Sequence, residues 1–130
     1  MNKDLQEVIR QSSFEVQKGR FVYAKVKTVP DLGKHFMISR DKDEITVVTE
    51  EKNLSELDLI EKNKDFYKLI SLNVSVPFYS VGFLATVSGA IAQAGMNILI
   101  VSTYSKDYIL VREDKLQKAE EVLLSLGFKQ

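Results

Sequence analysis

Short segments in the first half of the chain alternate apolar and polar residues, which is the pattern of β-strands with one buried face. Residues 14–18 and 20–27 show this pattern on either side of Lys18-Gly19, a pair that favours a tight turn. We therefore predict a β-hairpin formed by these two segments. One face of its second strand would carry Val22, Ala24 and Val26.

A second hairpin is predicted farther along the first half. Residues 36–40 and 44–49 are rich in apolar and β-branched side chains, and the polar run Asp41-Lys42-Asp43 separates them. Residues 54–60 follow as a candidate for a short helix. The first dozen residues, by contrast, are expected to be loosely held.

The second half begins with a predicted strand at residues 69–76. Pro77 is expected to end this strand because proline cannot donate a hydrogen bond to a sheet. A helix follows, since apolar residues recur three or four positions apart at Leu84, Val87, Ile91 and Ala94. Gly95 stands where a helix commonly ends in the left-handed conformation.

Two strands and a helix complete the predicted second half. The strands cover residues 97–103 and 107–111 and are joined by the turn Tyr104-Ser105-Lys106. Asp114 is expected to cap the last helix, which ends at Gly127. Its apolar stripe is formed by Leu116, Ala119, Leu123 and Leu126. Residues 69–128 therefore follow the order β-α-β-β-α.

The two halves resemble each other at an offset of 64 positions. The offset places Lys42, Asp43, Ile45 and Val47 on Lys106, Asp107, Ile109 and Val111. Hairpins with polar turns also match by chance, but the spacing between predicted strands supports a repeat. The interval from Val26 to Phe36 is 10 positions and that from Val76 to Ile98 is 22, a difference of 12, or about three helical turns. We predict two tandem modules, residues 1–64 and 65–130, of which the first lacks its first helix.

The composition narrows the chemistry that the chain can perform. Its 130 residues carry 18 basic and 18 acidic side chains, so neither nucleic acid nor an anionic membrane is an expected partner. Without cysteine, and with His35 as the one histidine, the chain has no thiolate zinc site or histidine cage, and no cofactor is predicted. Asp41, Asp43 and Glu44 are expected to form a solvated hairpin tip. No apolar run reaches the roughly 18 residues of a membrane span, and we expect a cytoplasmic location.

A family resemblance rests on the strand pair near the C-terminus. The run VSTYSKDYILV, from Val101 to Val111, resembles the signature IST(Y/F)xxDYxLV of small bacterial and archaeal tandem ACT proteins. Asn97-Ile98 after Ala94-Gly95 is similar to ACT domains in general. The run DEITVV, which begins at Asp43, resembles a strand of the first module in the same subfamily. These proteins are related to the animal cytosolic arginine sensor.

The resemblance implies an α+β, ferredoxin-like fold and a regulatory or sensor protein, not an enzyme, that binds an amino acid or a similar small zwitterion. It also implies a ligand at the turn before the helix of the second module, where backbone N–H groups favour a carboxylate. Every helix has such an end, so the turn alone does not identify a site. The candidate ligand-binding residues are Ser80, Val81, Gly82, Phe83, Leu84, Asn97, Ile98, Tyr104 and Asp107.

The candidate residues differ in the chemistry that they offer. The amide of Asn97 can donate and accept, as the main-chain groups of an amino acid require, although asparagine suits a plain turn equally well. Asp107 offers a carboxylate to an ammonium or guanidinium group. Resemblance to the arginine sensor implies that Asp107 and Tyr104 contact ligand. An acidic residue that the sensor uses near its helix turn corresponds to Ser80, which disfavours arginine itself.

Two other classes of function stay open on the sequence. One is an interaction module that only dimerises, and the other is a small ferredoxin-like enzyme with Asp107 and His35 as weak acid–base candidates. The second half carries fewer charges, so its apolar surface is expected to meet a second subunit, edge to edge or helix to helix, in a homodimer. An unidentified protein partner is also compatible with the sequence. Gly89 lies on a helix face with Ala85, Ser88 and Ala92, and we expect another backbone to approach it closely.

Overall fold

The computed structural model describes residues 3–74 and 81–130. Its helices are α1 (Lys3–Arg10), α2 (Phe83–Gln93) and α3 (Leu116–Leu126). Its strands are β1 (Ser13–Val16), β2 (Phe21–Val26), β3 (Met37–Arg40), β4 (Ile45–Glu50), β5 (Leu59–Lys62), β6 (Tyr67–Asn73), β7 (Leu99–Ser102) and β8 (Asp107–Arg112). Short 3₁₀ turns occur at Leu32–Lys34, Glu51–Glu56 and Glu113–Lys115. The predicted strand end at Pro77 lies outside the described residues.

The chain divides into two compact units, one of which is inserted in the sequence of the other. The inserted unit is Lys18–Tyr67, and the terminal unit joins the segment up to Gln17 with the segment from Lys68 onward. The change of unit after Tyr67 lies close to the predicted module boundary after residue 64. The N-terminal segment differs from that prediction because it packs with the C-terminal half of the chain.

The terminal unit has the predicted mixed α+β architecture. Its strands lie in the order β7-β8-β6-β1. β7 and β8 form an antiparallel pair in which Ser102 lies opposite Asp107, and β1 pairs antiparallel with β6, with Phe14 opposite Leu72. The order β6-α2-β7-β8-α3 confirms the β-α-β-β-α prediction for residues 69–128.

The predicted hairpin of residues 14–18 and 20–27 is wrong. β1 pairs with β6, whereas β2 pairs with β4 and β5 and makes one pair with β6, between Phe21 and Tyr67. Phe14 is 2% exposed and belongs to the same buried cluster as Leu72, which lies opposite it. Pairing with a buried strand therefore removes more apolar surface from water than a local hairpin would.

The inserted unit is a four-stranded antiparallel arrangement in the order β3-β4-β2-β5. The β3–β4 pair confirms the second predicted hairpin. Ala24, Val26 and Val47 form a buried cluster on one sheet face, as the alternation in β2 predicts. A single 3₁₀ turn at Leu32–Lys34 stands between β2 and β3, where the first helix was expected to be missing.

The predicted short helix at residues 54–60 is wrong. The chain forms a 3₁₀ turn at Glu51–Glu56 and then enters β5 at Leu59. All four residues of β5 are exposed. An exposed strand has no buried face to set an alternating pattern, so its apolar residues were open to a helical interpretation.

Helices α2 and α3 supply most of the buried side chains that cover the sheet of the terminal unit. The buried cluster consists of Leu5, Ile9, Phe14, Ile70, Leu72, Phe83, Val87, Ile91, Met96, Ile109, Val111, Ala119, Leu123 and Phe128. Val87 and Ile91 of α2, and Ala119 and Leu123 of α3, confirm the predicted helical spacing. Gly95 has φ +83°, the left-handed conformation expected after α2.

The predicted cap of the last helix is wrong. Asp114 lies within the 3₁₀ turn at Glu113–Lys115, and α3 begins at Leu116 without a side-chain cap. The Oδ2 atom of Asp114 accepts a hydrogen bond from Nη2 of Arg112 at 3.0 Å. The carboxylate is thus engaged by a guanidinium group instead of the helix backbone.

The first residues of the chain are more ordered than the sequence suggested. Residues 3–10 form α1, which buries Leu5 and Ile9 in the core of the terminal unit. The four-residue spacing of these two side chains was the available signal for a helix. Over the described residues, each helix is too short or too polar to cross a lipid bilayer.

Exposed apolar side chains are spread over both halves of the described chain, so they do not concentrate in the second half as expected. The large ones are Val29, Leu32, Leu59, Ile60, Val81, Ile100, Tyr104 and Leu124. Apart from its two chain neighbours and the nearby backbone of α2 itself, no described atom lies within 4 Å of the position that a Cβ would take at Gly89. The close backbone approach predicted there is therefore absent within this part of the chain, and Gly89 faces open space.

Candidate functional site

The start of α2 forms one wall of the candidate site. Gly82 precedes the helix with φ 90°, a left-handed conformation, and provides no side-chain cap. The Thr86 N–H donates to the Gly82 carbonyl at 2.9 Å, which closes the first helical turn. Amide groups in the first turn of an α-helix have no acceptor within the helix, so those of Phe83, Leu84 and Ala85 are suited to an anionic group.

The β7–β8 hairpin forms the opposite wall. Oγ of Ser102 donates to Oδ1 of Asp107 at 2.6 Å, across the last residue pair of the two strands. The backbone N–H and the hydroxyl of Thr103 both donate to the carbonyl of Lys106, at 2.8 and 3.1 Å. These bonds hold the hairpin tip closed and orient one carboxylate oxygen of Asp107.

A cavity of about 500 Å³ lies between these two walls, within the terminal unit. Its volume falls in the range of small-molecule binding sites in proteins. The described lining residues are Val74, Gly82, Phe83, Leu84, Ala85, Ser102, Thr103, Tyr104, Ser105, Lys106 and Asp107. The helix side is mainly apolar, whereas the hairpin side carries hydroxyl groups and one charge of each sign. Such a surface suits a small ligand that is itself both polar and apolar.

The cavity brings together most of the predicted site residues. Gly82, Phe83, Leu84, Tyr104 and Asp107 line it, so the predicted meeting of the helix turn with the hairpin is found. Ser80 lies outside the described residues.

Asn97 and Ile98 are not among the lining residues, and neither is Val81. Asn97 precedes β7, whereas the cavity lies beyond Ser102 at the other end of that strand. Five residues of extended chain span roughly 16 Å, so one small ligand cannot reach from the hairpin tip to Asn97. Ile98 instead packs against the buried core. The predicted meeting of Gly82, Asn97 and Asp107 around one cavity is therefore not found.

Ser102, Thr103 and Lys106 line the cavity but were not predicted from the sequence. Ser102 could have been predicted, because it lies opposite Asp107 in the β7–β8 pair. Residues opposite each other in an antiparallel pair have side chains on the same sheet face. Lys106 adds a positive charge to the wall that carries Asp107. The cavity is therefore lined by both a cationic and an anionic side chain.

His35, the other acid–base candidate, belongs to a hydrogen-bonded group in the inserted unit. Its Nδ1 atom lies 2.9 Å from Oγ1 of Thr49. Nδ2 of Asn53 donates to the same hydroxyl at 3.0 Å and to the carbonyl of Lys34 at 3.2 Å. Thr49 and Asn53 are buried, so these bonds satisfy polar groups that would otherwise be costly to bury. His35 thus has a structural role here.

Two shifted pKa values in the inserted unit have local structural causes. Burial, and secondarily the neighbouring Tyr67, raises the pKa of the Tyr23 hydroxyl. A hydrogen bond from Arg20 lowers the pKa of Glu51, whose carboxylate lies 2.9 Å from the guanidinium group. The same guanidinium group stacks 3.8 Å from the ring centroid of Phe66.

Across residues 3–74 and 81–130, no three potential metal-ligating side chains cluster.

Comparison with known proteins agrees with this architecture. Residues 63–125 match the protein-family model described as "ACT domain". The chain contains an ACT domain. The match spans β6, α2, β7, β8 and most of α3, and every described residue that lines the cavity lies within it. It does not include β1, the strand that completes the sheet of the terminal unit.

Solved structures share this ACT-type fold. A Vibrio cholerae protein of unknown function is 23% identical, over 96% of this chain and 97% of the other, with a TM-score of 0.80. An Agrobacterium tumefaciens protein is 21% identical, over 91% and 90% of the two chains, with a TM-score of 0.75.

The regulatory subunit of aspartate kinase from Thermus thermophilus, solved in a ligand-free form, is 10% identical and covers 87% of this chain and 95% of its own, with a TM-score of 0.61. These similarities confirm the predicted ferredoxin-like fold. A search of curated proteins finds no match.

Proposed function

We propose that this protein is a regulatory module that binds an amino acid, or a similar small zwitterion, between the start of α2 and the β7–β8 hairpin. The observation that carries the proposal is the 500 Å³ cavity, which is lined by the first residues of α2 on one side and by a hairpin with a carboxylate on the other. The ACT match supports a small-molecule-binding regulatory role. The regulatory subunit among the similar structures agrees with that role.

The chemistry of the cavity suggests how a zwitterion would lie in it. The N–H groups of Phe83 and Leu84 attract a ligand carboxylate, because they lie in the first turn of α2. The Asp107 carboxylate attracts an ammonium or guanidinium group, and Ser102 holds one of its oxygens in place. Tyr104 at the mouth is 95% exposed and provides apolar surface for the ligand.

We further propose that the inserted unit is a reduced second module of the same kind. In the inserted unit β3, β4 and β2 lie side by side in the order that β7, β8 and β6 have in the terminal unit. In addition, β5 pairs with β2 as β1 pairs with β6. A tandem arrangement and a relationship to the arginine-sensor subfamily follow from the sequence resemblance and belong to this proposal. So do a homodimer, expected from the charge distribution along the sequence, and a cytoplasmic location, expected from the lack of a long apolar run.

Of the alternatives, an interaction module without a ligand remains the more serious. The exposed small face of α2 around Gly89 favours it, because helices pack closely through such faces. The two alternatives differ in what a small molecule does to the protein. An amino acid that binds in the cavity raises the stability of the native state. If the protein only dimerises, adding amino acids leaves its stability unchanged.

A thermal-shift screen tests the proposal. Each of the twenty standard amino acids is added at millimolar concentration, with nucleotides as the comparison class. We expect one amino acid, or one chemical group of them, to raise the melting temperature, and expect Asp107→Ala to reduce the rise if the ligand is cationic. No stabilisation by any amino acid at 10 mM would contradict the proposal, because a ligand at 100 times its Kd stabilises by about 2.7 kcal/mol.

A further inference from the structure

Leu5 of helix α1 lies near Gly82, the cavity-lining residue that precedes α2. Cδ2 of Leu5 lies 3.8 Å from the position that a Cβ would occupy at Gly82, so Leu5 borders the space beside this glycine. Leu5 is 5% exposed and belongs to the same buried cluster as Phe83, the residue after Gly82. The left-handed turn before α2 is therefore supported from outside the cavity by a side chain near the N-terminus of the chain.

The other end of α1 contacts a different helix terminus. Cγ2 of Ile9 lies 3.6 Å from the Cβ position at Gly127, directly after α3. Ile9 is 0% exposed. Within the shared buried cluster, Leu5 thus lies near the residue before α2, and Ile9 lies near the residue after α3.

We propose that Leu5 is a positioning residue of the ligand site and that docking of α1 controls the geometry of the Gly82 turn. This inference rests on the proposed function, since it names the element that regulates the same site. Gly82 has no side chain and no cap to fix its conformation, so its position depends on the neighbours that pack around it. Withdrawal of Leu5 removes one of these neighbours and leaves the walls formed by Ser102 and Asp107 intact.

Such an arrangement couples α1 to the ligand. If the docked helix favours the turn that binds the ligand, a bound ligand must favour the docked helix by the same factor. The N-terminal helix is therefore the part of the terminal unit through which occupancy of the cavity can be transmitted to a partner.

Amide hydrogen exchange measured by NMR tests this role without a ligand. The Thr86 N–H reports on the Gly82 turn because it donates to the Gly82 carbonyl, and the Phe128 N–H, which donates to the Leu123 carbonyl at 3.2 Å, reports on the end of α3. We expect Leu5→Ala to speed exchange at Thr86 by about tenfold or more relative to Phe128. The matched control Ile9→Ala, at the other end of α1, should show the reverse preference.

Equal acceleration of both amides in both variants, or no acceleration at Thr86 in Leu5→Ala, would overturn the positioning role. If either alanine variant does not fold, Leu5→Val and Ile9→Val provide the same comparison with a smaller loss of volume.

A second arm adds an equimolar mixture of the twenty standard amino acids to the wild-type protein. The coupling predicts slower exchange at Thr86 and at Gln11, whose N–H donates to the Glu7 carbonyl at 3.1 Å near the end of α1. Slower exchange at Thr86 alone would overturn the coupling. No change at either amide would contradict the proposed amino-acid ligand, whereas the ligand-free comparison would still decide the role of Leu5.

Discussion

The terminal and inserted units differ in the element that follows the first strand of each proposed repeat, β6 in the terminal unit and β2 in the inserted unit. In the terminal unit β6 leads to α2, a helix of 11 residues, whereas in the inserted unit β2 leads to a 3₁₀ turn of three residues. At the 3₁₀ turn, Oδ1 of Asp31 accepts a hydrogen bond from the Gly33 N–H at 3.4 Å. The corresponding residue before α2 is Gly82, which has no side chain to cap the helix.

The hairpins of the two units also use their acidic residues differently. In the β3–β4 hairpin, Oδ1 of Asp41 accepts hydrogen bonds from the N–H groups of Asp43 and Glu44, at 2.8 and 3.0 Å. That carboxylate closes its own turn. In the β7–β8 hairpin, Asp107 lines a cavity and takes one hydrogen bond from Ser102.

These contrasts indicate which parts of the repeat are needed for a ligand site. Both units have a sheet and a hairpin, but the terminal unit also has a full helix whose first residues line one cavity with that hairpin. We infer that the inserted unit has kept the framework and has lost the helix that would form the second wall. Four experiments test the roles assigned to residues of the two units, in order of decreasing expected effect.

The largest effect is expected from Phe14→Ala, which tests whether β1 is part of the terminal unit. Phe14 is 2% exposed, and truncation of a buried phenylalanine costs about 3–5 kcal/mol. Urea denaturation followed by circular dichroism measures the free energy of unfolding. The control Glu15→Ala changes an exposed residue of the same strand and should alter stability by less than about 0.5 kcal/mol. A loss below about 1 kcal/mol for Phe14→Ala would show that the domain does not depend on β1.

The second effect concerns ligand affinity. If a cationic amino acid binds, Asp107→Ala should weaken it by about 1.5–3 kcal/mol, the scale of a charged hydrogen bond, and leave a neutral amino acid nearly unchanged. Asp43→Ala is the matched control, because Asp43 lies 64 positions earlier in the repeat. Isothermal titration calorimetry measures both. Equal losses for cationic and neutral ligands would mean that Asp107 supports the hairpin and does not touch the ligand.

The sequence predicted many of the helices and strands of both units because its periodic patterns reflect burial. Val87 and Ile91 repeat at helical spacing since one face of α2 is buried, and Val22, Ala24 and Val26 alternate because one face of β2 is buried. Pairing partners could not be predicted in the same way. Alternation around Phe14 indicates a strand, but it does not say that the partner is Leu72, 58 positions away.

The candidate site was predicted in part for a related reason. Gly82 and Asp107 carry local signals, a helix start and a hairpin turn, and both line the cavity. Family resemblance alone suggested that Asn97 belongs to the same site. It lies before β7, whereas the hairpin tip lies after that strand. Thr103 and Lys106 line the cavity because of the conformation of the turn, which the sequence pattern does not specify.

A third, smaller effect tests the open face of α2. Gly89→Ala should raise stability by about 0.5–1 kcal/mol, because alanine favours a helix over glycine and a Cβ there meets no described atom within 4 Å. A Cβ at Gly95 also meets no described atom within 4 Å beyond its chain neighbours, but the φ of +83° makes Gly95→Ala unfavourable by about 1–2 kcal/mol. Thermal denaturation should separate the two variants. Destabilisation by Gly89→Ala would indicate that another subunit packs against this face.

The smallest effect is a pH dependence in the inserted unit. Because the hydrogen bond from Arg20 lowers the pKa of Glu51 in the folded protein, the pair stabilises the fold above the ordinary glutamate pKa of about 4.3 and loses this contribution as the pH falls. The melting temperature of the wild type should therefore fall more than that of Glu51→Gln between pH 6 and pH 3. Parallel curves for the two proteins would show that the ion pair contributes nothing measurable.

The proposed binding of an amino acid in the terminal unit, between α2 and the β7–β8 hairpin, underlies the functional contrast between the two units. NMR chemical-shift mapping with the amino acid that gives the largest thermal shift locates the bound ligand directly. We predict that the perturbed amides cluster at Leu84–Thr86 and Thr103–Asp107, while those of Asp41–Glu44 in the inserted unit stay unchanged. Saturable perturbations centred on the inserted unit, or a ligand that binds without moving the amides of α2 and the hairpin, would contradict the proposed site.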